Sequence, residues 1–416
     1  MNALRRFFHS LGPGLITGSA DDDPSGITTY SVVGARHGLT LLWTAWLTWP
    51  LMAAVQLVCA RIGMVTGRGL GAALGQKFSP AIMRVLAALL LIVNTLTIAA
   101  DLAGMGDAAN ILVPIPTLIW VIVFGVALVV STIGLRYATI ERVLKWLTLA
   151  LFAYVIDGLY IGHDWGTVLH ASLLPRLAWF RDPTLWTALV AVLGTTISPY
   201  LFFWQTSQEV EEKKRDGRTT VAQRVGMTDH ALAVRKLDVG VGTFFSNVVM
   251  FFIILTTALT LHASGKSIET SREAAEALRP LAGSFAALLY TVGIIGTGAL
   301  AVPIMSGSAA YMFAETFGWR QGIDQPLRGA RGFYGVMSTS IAIGIALNFG
   351  GLSAVKAMYW AAVLNGLLAP VVLIAILVVA ADRTVMHGQP ASKREWWAVA
   401  VTTALMTAAA AAMLLV

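Results

Sequence analysis

Long apolar runs, separated by short polar stretches, recur from one end of this chain to the other. Each holds about 20 residues or more, enough to cross roughly 30 Å of hydrocarbon at about 1.5 Å per residue. The pattern predicts eleven membrane segments, at 10–36, 39–64, 82–106, 116–134, 143–161, 184–212, 238–262, 281–313, 332–349, 353–380 and 396–416. The first and the sixth are interrupted. Trp43, Trp46, Trp120, Trp165, Trp396 and Trp397 fall mostly near proposed span ends, where amphipathic rings anchor at the interface. The polar stretch from Ser267 to Leu278 predicts a short external helix carrying Glu269, Glu273 and Glu276.

The first interruption reads Gly18-Ser19-Ala20-Asp21-Asp22-Asp23-Pro24-Ser25-Gly26-Ile27. A carboxylate in mid-membrane costs at least ~2.5–3.5 kcal/mol on insertion scales, so three in a row are not there for packing. Pro24 removes a backbone donor and clashes with the preceding turn, and Gly26 tolerates any backbone geometry. The helix is therefore expected to stop near Asp22 and restart near Ser25. Unwound backbone survives at membrane depth only where protein buries it or where it lines a wet cavity. The first half-helix also points its carbonyls, the negative end of its dipole, at the gap. Carboxylates and free carbonyls together make a site of hard oxygen ligands for a cation.

The sixth segment carries a matching defect, Gly194-Thr195-Thr196-Ile197-Ser198-Pro199-Tyr200. Five predicted spans run from the first break to the second, so the two halves have opposite orientations. Paired broken helices in an inverted five-plus-five repeat point to a substrate site at the midplane. The predicted fold class is thus an all-α polytopic membrane protein. Its ten-helix core covers 1–380, with one repeat at about 10–161 and the other at about 184–380. Residues 381–416 add a loop and an eleventh span.

Composition agrees with this layout. Of 416 residues 57% are hydrophobic and only 12% are charged, half the share of a typical soluble protein, which leaves no room for a separate soluble domain. Cys59 is the single cysteine, so no intrachain disulfide forms. Arg5 and Arg6 are not followed by a long apolar stretch ending in a small-residue cleavage site, and no cleaved leader is expected. The net charge of +7 is a matter of topology. With the N-terminus in the cytoplasm, 22 of the 29 Lys and Arg residues fall inside, including the dense run from Lys213 to Lys236. That asymmetry obeys the positive-inside rule and puts the C-terminus outside a plasma (inner) membrane. The stretch Glu211-Glu212-Lys213-Lys214-Arg215-Asp216 reads as a solvated cytoplasmic face. Nucleic acid is not an expected partner; the lipid bilayer is.

The identity of the donors narrows the cation. All seven histidines fall in predicted loops or at span ends, and neither break contains a methionine. The gap is lined by Asp21, Asp22, Asp23, Ser25, Thr195, Thr196, Ser198 and backbone carbonyls. Carboxylate, carbonyl and water suit Mg²⁺, Ca²⁺ and Mn²⁺, whereas soft transition metals prefer imidazole or sulfur. Mg²⁺ keeps several waters and needs room, which small residues at Ser25, Gly26 and Ser198 would leave. Asp101 in the third span is a further candidate for the ion path. Gln56, Asn94, Asn247 and Asn365 read more simply as interhelical hydrogen-bonding groups, with Asn365 also a weaker pathway candidate. Glu209 is expected in an inner vestibule below the second break.

At the two breaks the sequence resembles the Nramp divalent-metal transporter family, and the resemblance extends over the ten-span core. Gly12-Pro13-Gly14 followed by Asp23-Pro24 resembles the family's first-helix pattern ending in Asp-Pro-Gly-Asn. Asp101-Leu102-Ala103 resembles its third-helix Asp-Leu-Ala-Glu, and Ser198-Pro199-Tyr200 stands where the family has Met-Pro-His. The resemblance implies a LeuT-type fold with metal bound between the first and sixth helices. Asp23 is then the carried-over ligand, with Ala20 and Thr195 offering backbone carbonyls. The departures are equally specific. Ser25 and Gly26 replace glycine and asparagine, Ser198 replaces the methionine, Tyr200 the histidine and Gly104 the glutamate. This pattern is similar to the Nramp-related magnesium transporters, a branch with a roomier site and no proton coupling.

These readings converge on a secondary transporter that brings a divalent cation into the cytoplasm by alternating access. Mg²⁺ is slightly favoured over Mn²⁺, and the metal is cargo, not a resident cofactor. The alternatives are a proton-coupled Mn²⁺/Fe²⁺ importer, as in the parent family, and a Na⁺-coupled organic-solute symporter. An enzyme is not expected: no nucleophile–His pair lies within the membrane and no Gly-rich nucleotide loop is present.

Overall fold

The computed structural model describes residues 21–134, 148–175, 182–351 and 353–415. Gly12-Pro13-Gly14, Ala20 and the start of the fifth predicted span lie outside the described residues. The described chain is helical, with no strand among these residues. Its principal helices are α1 (Pro24–His37), α2 (Thr44–Thr66), α3 (Pro80–Leu112), α4 (Thr117–Gly134), α5 (Phe152–Tyr160) and α6 (Pro183–Thr196). They continue with α7 (Pro199–Arg215), α8 (Asp229–Thr260), α9 (Ala286–Phe317), α10 (Arg331–Leu347), α11 (Ala354–Ala381) and α12 (Lys393–Leu415). Nine stretches among the described residues are long and apolar enough to cross a membrane, α6 and α7 counting as one. The chain is accordingly an integral membrane protein.

Local chemistry sets the ends of these helices. Pro80 opens α3 behind Ser79, whose hydroxyl accepts from the Ile82 amide at 3.4 Å. Gly67 closes α2 in the left-handed region at φ 62°, where a side chain would be strained. The predicted external helix forms over Ser271–Glu276, capped reciprocally by Thr270 and Glu273.

Burial divides the helices into a core and a shell. In the broken stretch formed by α6 and α7, 78% of the most apolar window is buried, against 22% in α4 and 33% in α10 and α12. Ile119, Ile122, Val123, Val126 and Val130 on α4 are exposed on the protein surface, as lipid-facing residues must be. Glycines bring the core helices together. A Cβ on Gly194 of α6 would overlap the Ala362 carbonyl oxygen and the Gly366 backbone of α11. One on Gly34 of α1 would overlap the Thr257 hydroxyl of α8. Such small-residue crossings are how helices associate when lipid removes the hydrophobic drive between them.

The charged residues differ from the simple picture of a solvated face. The seventh span begins at Asp229, well before the predicted 238, because α8 runs on beside an equally extended α7. Between the two extensions, buried Arg235 pairs with Glu209 at 2.7 Å, with Asp238 at 2.7 Å and with Glu212. Glu211 is buried and pairs with Lys214 at 2.8 Å. The Lys213 ammonium donates to the carbonyls of Met64, Arg224 and Gly226. This end of the molecule is a packed ionic layer. Another set lies apart from it, with Glu269 3.7 Å from both Arg36 and Lys356.

The α6–α11 crossing gives a direct test. Gly194→Ala or Gly366→Ala forces the two backbones apart, with an expected loss of about 1–3 kcal/mol from overpacking. The thermal unfolding midpoint of the detergent-purified protein should fall for both. Gly335→Ala, which meets open space, should leave it unchanged.

Candidate functional site

Both breaks follow one plan: a helix ends, one or two residues run extended, and a proline opens the next helix. Asp21 is still helical, Asp22 is a bend, and Asp23 is extended at φ −70°, ψ 168°. Pro24 then stands at the first position of α1, where a missing N–H costs nothing. The helix thus restarts at Pro24, one residue before the predicted Ser25. In the second break α6 ends at Thr196, Ile197 and Ser198 leave the helix, and Pro199 opens α7.

Each freed backbone group finds a nearby partner. The Asp23 carboxylate accepts from the Gly26 amide at 2.5 Å, capping α1. The Ser25 amide and hydroxyl both donate to Asp101 of α3, at 3.1 and 2.5 Å. The Ser198 hydroxyl lies 2.8 Å from the Gly194 carbonyl oxygen and 2.7 Å from that of Thr195. Asp21, Asp22, Asp23, Ser25, Thr195, Thr196, Ser198, Tyr200 and Asp101 are all at most 5% exposed.

The centre of the cluster is the bare Cα of Gly26. At the place a Cβ would occupy, Thr195 Oγ1 is 2.9 Å away, the Asp21 carbonyl oxygen 3.2 Å and Asp23 Oδ1 3.2 Å. Three oxygens from the two broken segments thus crowd the place where a side chain on residue 26 would begin. Thr195 presents its hydroxyl there, not the carbonyl that the family resemblance implied; that carbonyl accepts from Ser198. Tyr200 stands over the other Asp23 oxygen, its hydroxyl donating to Oδ2 at 3.4 Å. The Thr196 hydroxyl turns away, 3.1 Å from that of Tyr30.

Two predicted residues stay outside this cluster. Asn365 donates to Thr97 at 3.0 Å and to the Ala361 carbonyl at 3.1 Å, tying α11 to α3. Glu209 is held by Arg235 and by Gln205 at 2.8 Å, so it lines no open vestibule. Its partner Arg235 lies on the extension of α8, which the span pattern placed in a loop.

The structure also adds residues that the sequence pattern did not single out. Ser246 of α8 donates to Asp21 Oδ2 at 2.7 Å and approaches Asp22 Oδ1 at 3.2 Å. A lone serine in an apolar helix resembles a packing residue, and only its partner reveals it. Methionines from other helices line the breaks, although none lies within them. The Met358 sulfur accepts from the Thr28 hydroxyl at 3.4 Å, and the Met250 sulfur lies 3.8 Å from the Thr196 hydroxyl. Where Gly104 lacks a side chain, the Met358 thioether fills the space. Toward the Arg36–Lys356 end, a cavity of about 370 Å³ opens between α1, α6 and α11, lined among others by Arg36, Thr184, Lys356 and Tyr359.

Comparison with known proteins gives this arrangement a family. The divalent metal cation transporter MntH of Nostoc sp. is 26% identical over 304 residues, covering 71% of this chain. The match spans 66% of that relative, just under two thirds of its length. A crystal structure of the Eremococcus coleocola manganese transporter superposes with a TM-score of 0.72 at 17% identity, covering 97% of this chain and 86% of that one. MhsT in complex with L-phenylalanine gives 0.60 at 14% identity, with 96% of both chains covered. These likenesses establish the LeuT-type fold. A sequence model of the family described as Natural resistance-associated macrophage protein-like matches residues 14–416. The chain belongs to the Nramp family.

Proposed function

We propose that this chain is a secondary transporter that moves a divalent metal cation across the membrane by alternating access. The observation that carries this reading is the set of three oxygens, from Asp21, Asp23 and Thr195, converging on the bare Cα of Gly26. Hard divalent cations take carboxylate, carbonyl and hydroxyl oxygens, and a site sealed from solvent on all sides suits an occluded state. Asp23 is the charged ligand. Ser25, Gly26 and Ser198 leave room for retained water, and Asp101 and Tyr200 hold the ligand in place. The names of the relatives, a divalent metal cation transporter and a manganese transporter, support the same class of cargo.

Two observations bear on which ion. The oxygen donors that the broken segments themselves supply, with Ser198 where the family has methionine, favour Mg²⁺. The manganese transporter among the structural neighbours, and the thioethers of Met250 and Met358 beside the breaks, favour Mn²⁺. Both ions fit the same site, and we take Mg²⁺ and Mn²⁺ as its two cargoes to be compared.

The orientation we propose has the N-terminus in the cytoplasm and the C-terminus outside, on the positive-inside rule. Residues 1–380 form the transport core and 381–416 a peripheral loop and helix. A negative-inside potential then favours uptake, by about 2.3 kcal/mol per charge per 100 mV for a full crossing. Separate clustering of ionic groups at Arg36–Glu269–Lys356 and at Arg235 is what two opposite faces require.

Liposomes containing the purified protein test this reading directly, with Mg²⁺ and Mn²⁺ influx measured side by side and an internal pH dye present. Asp23→Ala and Gly26→Ala are each expected to reduce flux at least tenfold while the protein stays monodisperse, the second because its methyl would sit among the three oxygens. Undiminished flux in both variants overturns the site. Ser198→Met is expected to shift preference from Mg²⁺ toward Mn²⁺ and Cd²⁺, read as the ratio of influx rates. An unchanged ratio removes the softness argument. Flux of Mg²⁺ without acidification supports the uncoupled reading, and Mn²⁺ flux that carries protons and rejects Mg²⁺ supports the parent-family reading.

A further inference from the structure

The three consecutive aspartates do not serve one point. Asp23 faces Gly26, Thr195 and Tyr200, with one oxygen spent on capping α1. Asp21 and Asp22 send their carboxylates to α8, where the single hydroxyl of Ser246 stands 2.7 Å from Asp21 Oδ2 and 3.2 Å from Asp22 Oδ1. A hydroxyl has one proton to give, so it satisfies one of these oxygens at a time. Among the described residues Asp21 Oδ1 has no hydrogen-bond partner, although the residue is 0% exposed. Asp22 is 5% exposed. The ion pairs among the described residues gather in the Arg235 and Arg36–Lys356 layers and the loops, and none involves Asp21 or Asp22.

Two carboxylates sealed together that, among the described residues, share one donor and pair with no basic residue are a costly arrangement unless something positive completes it. A sealed carboxylate oxygen with no partner marks the place where that partner binds. We propose that Asp21, Asp22 and Ser246 form a second divalent-cation subsite, distinct from the Asp23–Gly26–Thr195 subsite and built between the first break and α8. Two carboxylates balance the charge of one divalent ion, and the hydroxyl and retained water complete a hard oxygen shell. The proposal rests on the reading of Asp23 as the ligand of the transported ion.

The two subsites share Asp21, whose backbone carbonyl faces Gly26 while its side chain faces Ser246. An ion in one is therefore one residue away from the other. Their charges repel, so occupation of the second subsite lowers the hold of the first on its ion and speeds release. In the proposed orientation the Asp21–Asp22 subsite lies on the cytoplasmic side of Asp23, where such a step helps uptake.

Equilibrium binding of Mn²⁺ to the full-length protein in nanodiscs, with free Mn²⁺ read by electron paramagnetic resonance, counts the sites. The wild type is expected to bind two Mn²⁺ per chain, and Mg²⁺ should displace both. The Asp21→Asn/Asp22→Asn double variant should bind one, and Asp23→Asn should bind one. Ser246→Ala, a smaller change that leaves all three carboxylates, should weaken one site about tenfold and spare the other. A wild type that binds one Mn²⁺, lost in Asp23→Asn and kept in the double variant, overturns the second subsite and leaves the transport site standing. Two sites that persist in Asp23→Asn overturn the transport-site assignment instead. Two sites untouched by Ser246→Ala and by the double variant also overturn the proposal.

Discussion

Everything in this fold answers to one constraint: helix ends cannot be left open in the middle of a membrane. Backbone N–H and C=O groups without partners there cost several kcal/mol each on the scale of about 4–8 for transfer to a medium that cannot hydrogen-bond. Each break closes itself with short side chains from its own segment. Asp23 reaches forward three residues to cap α1, and Ser198 reaches back to the last carbonyls of α6. Asp101 comes from α3 to take the Ser25 amide. What remains beside this closure, among the described residues, is carboxylate oxygen without a hydrogen-bond partner: Asp21 Oδ1 and Asp101 Oδ2. The proposed cation site has this origin: the groups that repair the breaks are acceptors in excess of donors.

The close helix crossings follow from the same constraint. Short caps seal a break only if neighbouring helices press against it, and glycine makes that approach possible. Gly194 and Gly366 let α6 meet α11 backbone to backbone, and Gly34 does so for α1 and α8. Around Pro24 the space is filled by thioethers, Met358 where Gly104 has no side chain and Met105 where Gly298 has none. Methionine adapts its shape with little loss of packing, which suits a segment that would change its tilt in the proposed alternating access.

How much of this was legible in the sequence depends on the range of the interaction. The breaks and their prolines follow from local chemistry, and beside Gly26 the structure places oxygens of Asp21, Asp23 and Thr195, whereas Ser198 bonds to its own helix end. The family resemblance pointed to the Thr195 carbonyl; in the structure that carbonyl accepts from the Ser198 hydroxyl, and the Thr195 hydroxyl is the oxygen beside Gly26. Ser246 was illegible because nothing local distinguishes it from a packing serine. The partner of Glu209 was illegible for another reason: the predicted sixth span already ran to 212, but the seventh was begun at 238, which left Arg235 in a loop. An α-helix does not stop at the membrane surface, and α8, which starts at Asp229, carries Arg235 against Glu209 and Glu212.

That ionic layer has its own physical consequence for alternating access. Arg235 holds three carboxylates across α7 and α8, so these helices are braced together below the second break. Lys213 adds a clamp from α7 to the end of α2 through the Met64 carbonyl. At the opposite end, Glu269 joins Arg36 of α1 to Lys356 of α11 only through exposed contacts of 3.7 Å. Exposed pairs are worth at most about 1 kcal/mol, whereas breaking a buried pair by removing one partner costs about 3–5 kcal/mol. The looser seal therefore lies at the Arg36–Lys356 end, beside the 370 Å³ cavity between α1, α6 and α11. Under the proposed alternating access, a structure with one seal weak and the other strong would admit an ion from the weak side first. The cost of opening the strong side must then come from interactions that form only as the braced helices part.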